Sequence, residues 1–242
     1  MSAIRWLSAG SDVDGFPPPH EALEEPNGLL AAGGDLRPER LLRAYRRGIF
    51  PWYEPGQPIL WWCPEPRAVL LPSGLRVSRS LRRTLRRRAF EVTADEAFER
   101  VVEGCAGPRR YVAATWITDE MAAAYVELHR LGWAHSFEAW QNGELAGGLY
   151  GVAIGRVFFG ESMFTRVTDA SKTAFVGAVR YLESRSFELI DCQIASAHLR
   201  SFGAVDVPRT KFVSLLSKLC AQPARPTSWT ADYGQWVNCQ RE

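Results

Sequence analysis

Residues 136–161 read SFEAWQNGELAGGLYGVAIGRVFFGE. Segments 136–140 and 144–150 flank Asn142-Gly143, a pair favoured in primed hairpin turns because its positive φ follows strand twist. A second turn near Gly155 leads into 156–161, so the stretch predicts an antiparallel three-strand meander. Downstream, Asp169 is placed to cap a helix running to about Ser184. LIDCQ, residues 189–193, reads as a short buried strand, and helices are expected at 197–202 and 210–219. Upstream, amphipathic helices fit 94–105 and 118–131, the second with Thr118 as cap and Gly132 as stop. The tail beyond Ala221 carries Pro223 and Pro226 and is expected to be irregular or loosely docked.

Residues 1–62 have a different texture, rich in Pro, Gly and aromatics. Pro38 and Gly48 bracket a short helix over 38–47, with Leu41, Leu42 and Tyr45 on its apolar face. The expected architecture is α+β: a small N-terminal domain, residues 1–62, then a larger one, residues 63–242, with a mainly antiparallel sheet. The meander–helix–strand–helix order is shared with N-acyltransferases of the GNAT type, a fold-level analogy only.

The chain has 29 Lys+Arg against 27 Asp+Glu, a formal charge of +2. That balance hides a local block. Seven arginines lie between Arg76 and Arg88, no acid occurs between Glu65 and Glu91, and without the block the charge would be −5. With Ser78 or Ser80 as cap, Arg79, Arg82, Arg83, Arg86 and Arg87 fall on one helix face. Such a face repels itself and fits a polyanion such as a tRNA stem; the alternative is a solvated face balanced by distant acids.

Five cysteines, odd in number and without a CxxC pair, argue against a disulfide framework and a zinc site and fit a reducing cytosol. The four histidines lack a metal-ligand spacing. MSAIRWLSAG has no signal-peptide run, and no stretch approaches the ~20 apolar residues that cross a bilayer. The expectation is a soluble, cytoplasmic monomer without metal or cofactor.

Four features are candidates for chemistry. Glu161 ends an apolar strand, where a carboxylate needs a partner: either a cationic substrate or a structural salt bridge. Asp191 and Gln193, two residues apart, are expected on one side of a strand end, where Asp191 orients Gln193, accepts a proton or caps the next helix. Trp52, Trp61 and Trp62 stack bases or pack around prolines, with core favoured for Trp61 and Trp62. Cys192 has no His–Asp arrangement to activate it and reads as a buried, inert thiol. Residues 166–173, RVTDASKT, lack the glycines of a pyrophosphate loop, which counts against an acyl-CoA enzyme.

Taken together, EPNGLLAAGGDL, LLRAYRRGIFPW, WWCPEPRAVL, TWIT, LAGGLYG, FFGESMF, DASKTA and LIDCQ occur in an order that resembles the leucyl/phenylalanyl-tRNA–protein transferase family over about residues 16–212. The resemblance implies transfer of Leu or Phe from aminoacyl-tRNA to the N-terminal Arg or Lys of a protein, which marks it for the N-degron pathway. It implies that Trp52 and Trp116 stack around the terminal adenosine. Leu149, Phe158, Met163 and Ile190, with Tyr125 nearby, would line the aminoacyl pocket, Leu149 standing where some members carry Met. Glu161 would hold the acceptor's basic side chain, Asp191 and Gln193 would handle the attacking amine, and the Arg face would grip the acceptor stem. An acyl-CoA-dependent GNAT enzyme and a non-enzymatic tRNA-binding adaptor are the rival readings.

Overall fold

A computed structural model describes residues 4–10, 14–107, 117–222 and 228–239. The first sheet contains β1 (Arg5–Leu7), β2 (Leu29–Gly33), β3 (Phe50–Pro51) and β4 (Leu60–Trp62), in the order β1-β2-β4-β3, with α1 (Pro38–Arg46) between β2 and β3. The second begins with β5 (Arg67–Leu70). After α2 (Arg79–Arg86) come β6 (Glu91–Ala94), α3 (Phe98–Ala106) and α4 (Asp119–Arg130). The meander is β7 (Ala134–Gln141), β8 (Glu144–Ile154) and β9 (Val157–Thr165), followed by α5 (Ala170–Ser184) and β10 (Leu189–Gln193). Then come α6 (Ala197–Ser201), β11 (Val205–Val207), α7 (Arg209–Leu219) and α8 (Thr230–Cys239).

The seven strands run β11-β5-β10-β9-β8-β7-β6, antiparallel except for the parallel pair β9 and β10. The expected α+β class and the meander–helix–strand–helix order are thus observed, with longer hairpin strands than expected. Asn142 and Gly143 have φ of 52° and 78°, as a primed turn requires. Gly147 lets α5 sit against β8: a Cβ there would lie 2.9 Å from the Ala170 methyl and the Ser171 amide.

Strand alternation sends Tyr150, Val152 and Phe159 to one face, under α1, α3 and α4, and Leu149, Phe158 and Ile190 to the other, under α5. The first face joins both sheets in one apolar cluster that packs Tyr45, Phe50 and Trp61 with Tyr125, Phe159 and Phe212. Residue 62 ends the last strand of the small sheet.

Several local expectations need correction. Ala94, expected to open the helix over 94–105, instead ends strand β6, which pairs with β7; α3 begins at Phe98. Asp169 does not cap α5 with its side chain. Its backbone is left-handed (φ 68°), and its carboxylate accepts from Lys172 (2.9 Å) and Thr84 (3.2 Å) instead. Short edge strand β11 was unanticipated.

The tail is also docked, although Pro223 and Pro226 lie outside the described residues. Trp229, Tyr233 and Trp236 are spaced i, i+4, i+7, a helical face the prolines obscured. Trp229 and Tyr233 are buried, the Trp229 amide donates to Asp95 Oδ2 (2.8 Å), and its indole stacks on His135 at 3.6 Å. Trp229→Ala is expected to lower stability by about 3–5 kcal/mol in urea unfolding. A change below about 1 kcal/mol would show that α8 contributes little to the core.

Candidate active site

Two irregularities on neighbouring strands build the site. Across β8 and β9, Tyr150 pairs with Ser162 and Gly151 with Gly160, so Glu161 is an extra residue in a β-bulge. Across β5 and β10, Val69 pairs with Asp191 and Ala68 with Gln193, so Cys192 is extra and Gln193 takes a φ of 58°. The expected two-residue alternation of Asp191 and Gln193 is therefore interrupted.

The first bulge also changes which face later residues occupy. Phe158 and Met163 are five apart, and regular alternation would separate them across the sheet. The extra residue returns Met163 to the face of Phe158, opposite Leu149. Leu149, Phe158, Met163 and Ile190, with Val179 and Leu182 of α5, wall a cavity of about 260 Å³. Glu161, Gln193, Ser196 and His198 supply polar groups to the same cavity. Its volume is near the lower end of small-molecule sites, which suits one apolar side chain beside a few polar groups.

Glu161 forms no salt bridge among the described residues and is only 9% exposed. Tyr125 donates to its Oε2 at 2.6 Å, and Gln193 Nε2 donates to its Oε1 at 3.1 Å. The Tyr45 hydroxyl lies 2.6 Å from that of Tyr125. With the Tyr125 proton directed at Glu161, Tyr45 is the donor between the two tyrosines. Burial pushes the Glu161 carboxyl up to about 7, against the opposing pull of the tyrosine hydroxyls and Arg67. Burial likewise raises both tyrosines well above their ordinary range, and Glu161 adds to it.

Tyr125 is thus not a wall of the apolar cavity. It is fully buried behind Glu161, on the opposite face of the sheet from Leu149.

Asp191 is completely buried and engaged by Arg67 in a fork, with Nε to Oδ1 at 2.8 Å and Nη2 to Oδ2 at 2.6 Å. The guanidinium lies 4.7 Å from the ring centres of both Phe50 and Phe212. Asp191 Oδ1 also accepts from the Gln193 main-chain amide at 2.9 Å. Its link to Gln193 therefore runs through the backbone rather than the side chain. Burial raises the Cys192 thiol to about 12, and it lines the cavity in its neutral form.

Trp61 is fully buried and Trp62 half-buried, whereas Trp52 is 42% exposed with its ring 5.6 Å from that of Trp62. Trp116 lies outside the described residues. Ser78 caps α2 through the Leu81 amide, and Arg79, Arg82, Arg83, Arg86 and Arg87 are exposed, without an ion pair among the described residues. Arg67 and Tyr45 were missed as site residues. An arginine opening the apolar run AVL, and a hydroxyl on a fully apolar helix face, were the available signals.

The geometry is that of an apolar cavity abutting a buried carboxylate and amide, in a chain whose α2 arginines form no ion pair among the described residues. Residues 69–217 match the leucyl/phenylalanyl-tRNA protein transferase family, and residues 34–65 match its N-terminal domain. The transferase of this name from Nitrosomonas europaea is 57% identical over 90% of this chain and 92% of its own. That from Stutzerimonas stutzeri is 57% identical over 94% of this chain and all of its own. The chain belongs to the leucyl/phenylalanyl-tRNA–protein transferase family. It is accordingly an aminoacyltransferase. A GCN5-related N-acetyltransferase from Kribbella flavida is a more distant likeness, with 14% identity, 71% of this chain and 61% of that chain covered, and a TM-score of 0.36.

In this family member the raised Glu161 carboxyl makes a stability prediction. An acid whose folded pKa exceeds its unfolded value loses stability as pH rises between the two, here from about 4.5 to about 7. Glu161→Gln should match the parent in Tm near pH 4 and exceed it at pH 8. A parallel pH dependence of the two proteins would place the titration elsewhere.

Proposed function

We propose that the enzyme moves Leu or Phe from aminoacyl-tRNA to the N-terminal Arg or Lys of acceptor proteins. The observation that carries this reading is the apolar cavity ending at Glu161 and Gln193. Leu and Phe can share one cavity, because a methylene's difference discriminates by only ~1–3 kcal/mol. Met163 adapts its unbranched side chain to either.

An aminoacyl ester is already activated, so no covalent enzyme intermediate is needed. The acceptor α-amine, with a pKa of about 8 in water, loses a proton and attacks the ester carbonyl. A C–N bond forms, the bond from the carbonyl carbon to the ribose oxygen breaks, and that oxygen takes a proton. The enzyme's part is alignment and desolvation. Gln193, fixed through Glu161 and the Asp191 carboxylate, presents its amide oxygen to the amine. Asp191 is a positioning residue, since Arg67 already engages both its oxygens. Glu161 receives the acceptor's cationic side chain, whose approach favours the ionised carboxylate.

Trp52, with Trp116, stacks on the terminal adenosine, and the α2 arginines hold the acceptor stem. The reaction takes place in the cytoplasm and marks its products for N-degron degradation.

Incubation with Leu-tRNA and an Arg-initiated peptide should add one leucyl mass to the peptide. Glu161→Ala should cut acceptor kcat/KM by about 10- to 100-fold, because hydrogen bonds to charged groups contribute ~1.5–3 kcal/mol. Its tRNA affinity should be unchanged; an equal loss of both would remove the anchoring role. Reversal of Arg82, Arg83 and Arg86 to Glu should raise the tRNA KM and reduce its log–log salt slope by roughly two to three. An unaltered slope would move stem binding to another surface.

A further inference from the structure

The active-site cavity uses one side of α5, through Phe175, Ala178, Val179 and Leu182. The other side opens onto a second and larger hollow of about 490 Å³, lined by Thr173, Val176, Gly177 and Arg180 of α5. The remaining walls are the C-terminal end of α2 with Arg88, the edge strand β6, and α8. Helix α8 contributes Tyr233 and the half-buried Trp236. Gly177 permits this arrangement, since a Cβ there would lie 2.9 Å from the Tyr233 hydroxyl.

Three properties of the hollow point to its occupant. Arg88 and Arg180 are exposed at it and make no ion pair among the described residues, with Glu91 the acid on the same wall. The Thr173 hydroxyl at the hollow is buried without a hydrogen-bond partner among the described residues. Finally, Thr84, Leu85 and Arg88 belong to the same segment as the arginine face, so a phosphate backbone on Arg83 and Arg87 passes beside the opening. Aromatic surface flanked by cations is the general recognition chemistry for an unpaired nucleotide: the base stacks and the phosphate pairs with arginine.

We propose that this hollow is a second RNA subsite, which takes an unstacked nucleotide of the tRNA held by α2. The base lies against Trp236, and Arg88 and Arg180 meet its flanking phosphates. This nucleotide is distinct from the aminoacylated one, because the two cavities lie on opposite sides of α5. The proposal rests on the reading of α2 as the tRNA-binding helix.

The test measures equilibrium binding of uncharged tRNA and of a blunt RNA duplex with no unpaired nucleotide, using fluorescence anisotropy. Trp236→Ala and Arg180→Glu should each weaken tRNA binding roughly tenfold, the scale of losing one base stack or one phosphate contact. Duplex binding should change less than twofold. Arg180→Glu alters an exposed side chain and keeps the test valid if Trp236→Ala loosens α8. Reversal of Arg82, Arg83 and Arg86 should weaken both RNAs; if it weakens neither, the α2 reading itself fails. If it weakens both while Trp236→Ala and Arg180→Glu bind tRNA normally, the subsite alone is overturned. Equal weakening of tRNA and duplex by Arg180→Glu would also overturn it, as would a self-association in sedimentation that Trp236→Ala abolishes.

Discussion

The ion pair between Arg67 and Asp191 is the constraint on which the site depends. Both side chains are withdrawn from water, and the cost of burying two charges is offset only by the forked geometry and the flanking rings. Removing either partner would leave a buried charge uncompensated, at about 3–5 kcal/mol. The pair joins β5 to β10 and is enclosed by Phe50 of the small sheet and Phe212 of α7. Through Asp191 Oδ1 it also fixes the main chain of Gln193. The residue closest to the proposed chemistry is therefore held by a buried ion pair.

Beside this pair, two bulges solve a geometric problem. A carboxylate and an apolar pocket have opposed solvation needs, and a regular strand would assign neighbouring residues to opposite faces. The extra residue at Glu161 places the carboxylate between the two layers, where Tyr125 of α4 hydrogen-bonds it, Tyr45 of α1 backs Tyr125, and the cavity still reaches it. The same offset assigns Met163 to the pocket. The bulge at Cys192 lets Gln193 reach Glu161 across the parallel pair β9 and β10. The carboxylate, the amide and the apolar wall that the proposed reaction needs are thereby brought together by two bulges on neighbouring strands.

Helix α5 serves two cavities because nearly its whole circumference is covered. Ala, Val and Phe at its inner positions face the pocket, while Thr173, Gly177 and Arg180 face α8 and β6. The C-terminal segment becomes structural for the same reason: Trp229 fills a gap against His135, and Asp95 anchors its amide. Turn residues and prolines before it gave the contrary expectation, since they report where a chain bends and not what lies beyond.

The sequence alone determined the meander, most helices and the arginine face, because these follow from local rules: turn dihedrals, caps and a 3.6-residue period. Asn142-Gly143, Thr118 and Ser78 needed no knowledge of the rest of the chain. It also singled out Glu161, since a carboxylate within an apolar strand is costly wherever it lies. Only the tertiary structure decided its partners. Tyr45 is 116 residues from Glu161, and Arg67 is 124 from Asp191, so no local pattern links them. Strand register, which one inserted residue shifts, decided that Phe158 and Met163 share a wall and that Tyr125 lies behind it. Periodicity predicts faces only while the backbone stays regular, and here the candidate site residues Glu161 and Gln193 sit where that regularity is broken.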